Sequence, residues 1–491
     1  MKGSRPNIIL FNPDQWRGDI LGHMGNLGAV TPVLDGLVRD SAVSFRNAFC
    51  QNTVCTPSRC SFMTGWYPHV NGHRTMYHML RSHEPMLLRT LRQEGYFVWW
   101  GGKNDVIPAE SGYAEFCDVK YSPETLPTKK DPHSWDGWRG DPQGDNWYSF
   151  YLGRLEHDPS SGHYDDWDWA NVMGAVDLVK NWRGDRPFCI YLPLGSPHPP
   201  YAVEDPFYSM VDPLRVPPRV PTPPDWTGKP SLLRGVWSRQ RLKDWTEERW
   251  RELRRTYYAM CARLDHQLGL LVEALRCGGW WDSTALFMFS DHGDFTGDYG
   301  LVEKTQNTFE DCLSRVPLIV KSPGGFPVRP RVCDALVELV DVPATVESIS
   351  GIRPRHSHFG RSLLPLIAGE TEELRDAVFC EGGRLRDEVY CQEFNQPDAH
   401  TEKNLYWPRV SLQASIPEHT KAVMCRTREW KYVRRLYEGD ELYHLGEDPQ
   451  ERVNRASDPA LAGVASGMKE RLLTFFLETG DVVPHDFNRR W

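Results

Sequence analysis

The sequence predicts an α/β protein: a large mixed, mostly parallel sheet flanked by helices, with a smaller C-terminal α+β subdomain. Three observations predict it. Short, wholly apolar runs recur at 7–11, 188–194 and 285–290, bounded by proline or polar loops, as strands buried on both faces require. Between them lie stretches with apolar residues three and four apart, the longest being 250–277 with Leu253, Tyr257, Met260, Leu264, Leu268, Leu271 and Leu275. Late in the chain, 422–427 and 430–437 read as paired strands, followed by a short run at 441–445 and a last helix over 463–478. At 491 residues the chain exceeds one typical domain, and we expect a catalytic unit over 1–370 and a subdomain over 371–491.

Composition narrows the function classes. The formal net charge is -9, with acidic residues spread throughout, which gives no support for a nucleic-acid surface. Any anionic substrate must then be gripped by a local cationic pocket. The start, Met1 to Pro6, leads straight into the 7–11 run, too short for a signal peptide or a transmembrane helix, so no membrane partner and a cytoplasmic location are expected. Twelve cysteines without CxxC pairs fit a reduced protein better than a disulfide framework or a zinc site. Nineteen tryptophans are many, and segments such as 134–138 and 165–169 read as polar loops. Their rings suit stacking on sugars or aryl groups, and equally suit pinning the loops down.

In chain order, the strand at 7–11 runs into Asp14 and Gln15, placing them at a strand's carboxyl end, where open α/β sheets build their sites. A Pro-started helix over 31–38 and a strand over 43–50 lead to Cys55-Thr56-Pro57-Ser58-Arg59. Pro57 suits the first turn of a helix, so Cys55 stands at a helix N-terminus, whose unpaired N–H groups favour an oxyanion; Arg59 adds a guanidinium one turn on. The loop 67–74 carries His69 and His73, and His73 is a candidate for touching substrate. A helix over 87–94 and a strand over 95–100 deliver Lys103 and Asp105 to another strand end.

From 107 to 169 periodicity is lost, as in an excursion over the active face. A helix over 170–182 precedes the strand 188–194, and His198 follows between Pro197 and Pro199. Residues 202–245 read as a long extended connection, and 250–277 as a packing helix. The third apolar strand ends in Asp291-His292-Gly293-Asp294, and Lys304 lies in the polar block before the strand 315–320. A helix is expected over 334–350, and the aperiodic segment 384–417 is expected to reach back over the pocket.

Cys55-x-Pro57-x-Arg59 resembles the signature of the type I sulfatases, members of the alkaline phosphatase superfamily, and four separated motifs fall in that family's order. The resemblance implies an alkaline-phosphatase-like fold and a sulfuric ester hydrolase acting on a sulfated carbohydrate or aryl ester. It implies that Cys55 is oxidised by a separate maturation enzyme to formylglycine, and that Asp14, Gln15, Asp291, His292 and residue 55 hold one divalent metal. Oxygen-rich ligation with one imidazole suits Ca²⁺, with Mg²⁺ and Mn²⁺ as alternatives.

Lys103 and Lys304 would bind the sulfate, and His198 would protonate the leaving alcohol. In a hydrated formylglycine one hydroxyl attacks and the other later expels sulfate, so release needs no second attack on sulfur. Two positions depart from the family pattern: Gln15 stands where a second acidic ligand is usual, and Asp105 where a histidine is usual. The Asp-Gln and Asp-His pairs are also similar to those of phosphonate monoester and phosphodiester hydrolases, which share the formylglycine. N-sulfoglucosamine hydrolysis on the same scaffold and non-catalytic anion or glycan capture are the other readings. The oligomeric state stays open.

Overall fold

The computed structural model describes residues 5–123, 136–156, 162–393, 401–485 and 489–490. Its strands are β1 (Asn7–Asp14), β2 (Ala42–Phe49), β3 (Phe97–Gly101), β4 (Val119–Tyr121), β5 (Tyr151–Leu155), β6 (Phe188–Pro197), β7 (Tyr201–Glu204) and β8 (Thr284–Phe289). They continue as β9 (Arg315–Val316), β10 (Leu318–Lys321), β11 (Arg331–Glu338), β12 (Val378–Gly382), β13 (Ala422–Arg426), β14 (Trp430–Arg435) and β15 (Glu441–His444).

Nine strands form the main sheet, in the order β11-β2-β10-β8-β1-β6-β3-β4 with β9 beside β2. β1 is central and pairs in parallel with both β6 and β8. Its side chains alternate between two cores. Ile8 and Leu10 join one apolar cluster with Phe62, Trp100 and Phe287, while Ile9 and Phe11 join the other with Val172, Leu264 and Leu268. Burial on both faces explains why this strand reads as an unbroken apolar run rather than an alternating one. β10 runs antiparallel to β8 and β2, which makes the sheet mixed.

The helix Glu247–Cys277 covers one face, its first turn carrying Glu247 and Glu248 and its cap supplied by the Thr246 hydroxyl, which accepts the Arg249 N–H. The second sheet, β12-β13-β14-β15, is antiparallel, and the helix Ala462–Thr479 packs on it through Met468, Leu472 and Phe475.

Two expectations change. Residues 334–350 are not one helix: β11 pairs in parallel with β2, and only Asp341–Ser350 is helical. The 202–245 connection is not wholly extended, since Phe207–Met210 and Ser231–Gln240 are helices. In the 107–169 excursion the described residues carry β4, β5, short turns of helix and, from Trp167, the start of the helix Trp167–Asn181; Trp135 and residues 394–400 of the 384–417 segment lie outside the described residues. Among the described residues no helix is long and apolar enough to cross a membrane.

Candidate active site

The carboxyl ends of β3 and β6 line a cavity of about 760 Å³ with Cys55 in its wall, and those of β1 and β8 bring Asp14, Asp291 and His292 up against Cys55. Cys55 opens the helix Cys55–Thr64, which is buried throughout. Its Sγ lies 3.5 Å from Asp14 Oδ1 and 3.2 Å from His292 Nε2. Asp14, Cys55, Asp291 and His292 bring ligand atoms within 4.8 Å of one another, all fully buried. His292 Nδ1 donates to the Gly293 carbonyl (3.0 Å), which leaves the Nε2 lone pair for the cluster. The turn after β8 takes glycine because a Cβ at Gly293 would meet the Cys312 carbonyl oxygen at 2.0 Å. Two carboxylates, one oriented imidazole and residue 55 are a donor set that fits a divalent cation.

Arg59 lies beneath this cluster rather than in the cavity wall. Its guanidinium is 3.1 Å from Asp14 Oδ2 and 2.8 Å from Asp291 Oδ2, and it also donates to Asn12 Oδ1 at 3.1 Å. The sequence suggested a cation offered to an oxyanion. Instead Arg59 is consumed by the carboxylates, because two such groups buried together need a fixed countercharge. Gln15, expected as a ligand, has its amide oxygen taken by Lys304 Nζ (2.6 Å), while its Nε2 donates to Asp294 Oδ2 (2.5 Å).

Lys103, Asp105, His198 and Lys304 line the cavity together. Lys103 Nζ donates to Asp14 Oδ2 at 2.5 Å and lies 3.0 Å from Asp105 Oδ2. Burial alone would raise Asp14, but Lys103, Arg59 and the two nearby imidazoles hold it well below the usual carboxylate range. Asp105 is likewise lowered against its burial, by Lys103 and then Arg59, so it is a carboxylate near neutral pH. His198 Nδ1 donates to the Pro199 carbonyl (2.7 Å), which assigns proton exchange to Nε2. The end of β6 is held by Asp168, whose two oxygens accept the Gly195 and Ser196 N–H groups at 2.7 and 2.6 Å.

His73 is a correction. It does not line the cavity: its Nε2 pairs with Glu84 Oε2 at 2.9 Å and its Nδ1 meets the His78 carbonyl at 2.7 Å, so a buried carboxylate claims it. Other residues join the site unforeseen. Asp294 receives the Tyr201 hydroxyl at 2.8 Å as well as the Gln15 amide, and burial raises it to about 6. Its place two residues after His292 was the signal available. Asn404, Tyr406 and Arg409 enter the wall from the 384–417 segment, for which only the expectation of a covering segment existed. Backbone in the left-handed region gathers here too, at Gln15 (φ 72), Asp105 (φ 45), Thr296 (φ 47) and Glu303 (φ 68).

The model of the family described as Sulfatase matches residues 6–352. The chain belongs to the sulfatase family. Over 97% of this chain and 96% of the relative, it is 26% identical to a multifunctional alkaline phosphatase superfamily protein, PehA, of Trinickia caryophylli. It is also 26% identical to a choline-sulfatase of Rhizobium meliloti, over 94% of this chain and 84% of that protein. Among solved structures, the phosphonate monoester hydrolase of Agrobacterium radiobacter superposes with a TM-score of 0.74 at 23% identity, covering 98% of this chain and 100% of that one, a likeness of fold. The sulfatase sheet thus accounts for the strand-end placement of Asp14, Lys103, His198 and Asp291.

Proposed function

We propose that this sulfatase-family chain removes sulfate from a sulfated carbohydrate or aryl ester, with Cys55 matured to formylglycine. The observation that carries the reading is the position of Cys55: at a helix N-terminus, 3.2 Å from His292 Nε2, sharing a cavity with Lys103, His198 and Lys304. Asp14, Asp291, His292 and residue 55 would hold a divalent metal, Ca²⁺ first and Mg²⁺ or Mn²⁺ as alternatives. When bound, it would supply Lewis-acid activation of the nucleophile and neutralise charge on the ester.

The chain's own residues do the rest. Lys103 and Lys304 place two ammonium groups beside residue 55, so an anionic ester is neutralised before a second negative group approaches. The His198 imidazolium gives its Nε2 proton to the leaving oxygen, and its Nδ1–H stays on the Pro199 carbonyl. Asp105, a carboxylate beside Lys103, is the group left to take over from the family histidine in steadying the nucleophile. Tyr77, Tyr121, Trp167 and Tyr406 in the wall support a ring-bearing substrate.

A second reading, a phosphonate monoester or phosphodiester hydrolase, is favoured by Gln15, which removes one negative charge from the usual ligand set. Two measurements test the pair. A mass loss on the Cys55 tryptic peptide from native-host protein, matching thiol-to-aldehyde conversion, supports formylglycine chemistry; an unmodified thiol counts against it. A kcat/KM for aryl sulfate above that for aryl phosphonate favours the sulfatase reading, and the reverse order favours the alternative. Assay on an N-sulfated sugar checks cleavage of an N–S bond.

A further inference from the structure

Lys304 has a buried carboxylate for a neighbour, and that carboxylate is shared. Glu303 Oε2 accepts the Lys304 backbone N–H at 2.8 Å, and its Oε1 lies 2.9 Å from Lys304 Nζ as an ion pair without an aligned hydrogen bond. Arg409 approaches from the other side. It belongs to the short helix Trp407–Val410, more than a hundred residues later, and its Nε is 3.5 Å from Glu303 Oε2. Its Nη1 is 2.8 Å from Glu393 Oε2. The Arg409 side chain is buried, its Nε has no hydrogen-bond partner, and it lines the same cavity as Cys55 and Lys304.

The four groups form a line, Glu393, Arg409, Glu303, Lys304, with no net charge. Removing Arg409 changes two things. The wall acquires a net negative charge beside the place where an anionic ester must sit, and the whole charge of Glu303 then falls on Lys304. In a buried wall such a change is felt far more strongly than in water. We propose that Arg409 is a positioning residue that, by sharing Glu303, keeps Lys304 available to an oxyanion at the Cys55 end of the cavity. This rests on the anion-binding reading of the cavity given above. A merely structural Arg409, pinning the C-terminal segment to the catalytic core, would make a different prediction.

The test is calorimetric titration of inorganic sulfate, and separately inorganic phosphate, into the full chain supplied with Ca²⁺; it needs neither turnover nor maturation of Cys55. Arg409→Gln is expected to weaken sulfate binding about tenfold or more, and Arg409→Lys less. Glu303→Gln is expected to strengthen it. The Arg409→Gln, Glu303→Gln double variant, neutral again, is expected to return to within about twofold of the parent. The inference is overturned if Arg409→Gln binds like the parent, or if its loss is not restored by Glu303→Gln. Should Arg409→Gln fail to fold, Glu303→Gln alone decides: tighter sulfate binding supports the inference, and unchanged or weaker binding overturns it. If the parent binds neither anion, the anion-site reading fails, and the inference with it.

Discussion

Arg59 Nη2 lies 2.8 Å from Asp291 Oδ2, and both side chains are shut off from solvent. With Asp14 on the same guanidinium, one cation fixes both carboxylates of the metal-like cluster. The fork geometry makes this a task for arginine rather than lysine. Arg59→Met is expected to destabilise the fold by about 3–5 kcal/mol, because it takes the guanidinium from buried Asp291 and leaves Asp14 with Lys103 alone as its close cation. Arg59→Lys keeps the charge but loses the fork, so a milder loss of stability should come with a divalent-metal Kd raised about tenfold or more. Chemical denaturation and metal titration of the two variants separate these effects; unchanged metal affinity in Arg59→Lys would show that carboxylate placement does not depend on it.

Cys55 fills the junction of the cluster and the cavity, so no neighbouring side chain can replace it. Cys55→Ala should lower turnover of an aryl sulfate by about 10³-fold or more while the melting temperature stays near the parent's. Cys55→Ser offers one hydroxyl where a geminal diol has two. It should accumulate a covalent sulfated adduct, visible as a mass increase on the peptide, since nothing remains to expel the anion. Ordinary rates in Cys55→Ala would end the mechanism.

Metal supply gives a readout that does not require activity. Ions that bind the folded chain stabilise it by mass action, so the melting temperature should rise as Ca²⁺ is titrated into chelator-stripped protein. Asp291→Asn should blunt that rise, whereas Glu84→Gln, at the His73 pair outside the cluster, should leave it intact. An equal rise in both variants would place the ion elsewhere. Repeating the titration with Mg²⁺ and Mn²⁺ ranks the candidates.

The parts of this site that were legible in the sequence are the parts an α/β sheet places for general reasons. Asp14, Lys103, His198 and Asp291 each follow an apolar run, and a mostly parallel sheet delivers such residues to one edge. What stayed hidden depends on partners distant in the chain. Arg59 is spaced to follow Cys55 by one helical turn, but spacing does not say that it meets Asp14 and Asp291 instead of an anion. His73 looked available because nothing local marks Glu84 as its partner.

Arg409 sits in an aperiodic stretch and gains its meaning only from Glu303 and Glu393. The 334–350 error has a similar origin. The segment from Val332 to Leu339 has apolar residues at both helical and strand spacings, and the parallel pairing of β11 with β2 settles it as a strand before the Asp341–Ser350 helix begins.

A last prediction concerns stability away from the chemistry. Asp265, within the long helix Glu247–Cys277, accepts the backbone N–H groups of Val33 and Leu34 at 2.9 Å each, and so caps the helix Pro32–Asp40, whose own Thr31 makes no cap. Asp265→Ala strands these donors and should cost about 2 kcal/mol in chemical denaturation. Burial raises the Asp265 carboxyl from 3.8 to about 7, against the pull of the two N–H groups. Between those values the folded chain holds a proton that the unfolded chain has released, so this group's contribution to stability falls as pH rises from about 4 to about 7 and is level above. Asp265→Asn cannot titrate. The stability of the parent minus that of Asp265→Asn should therefore decline across that window; a difference that is flat or rises with pH would show that the carboxyl is not held protonated by its burial.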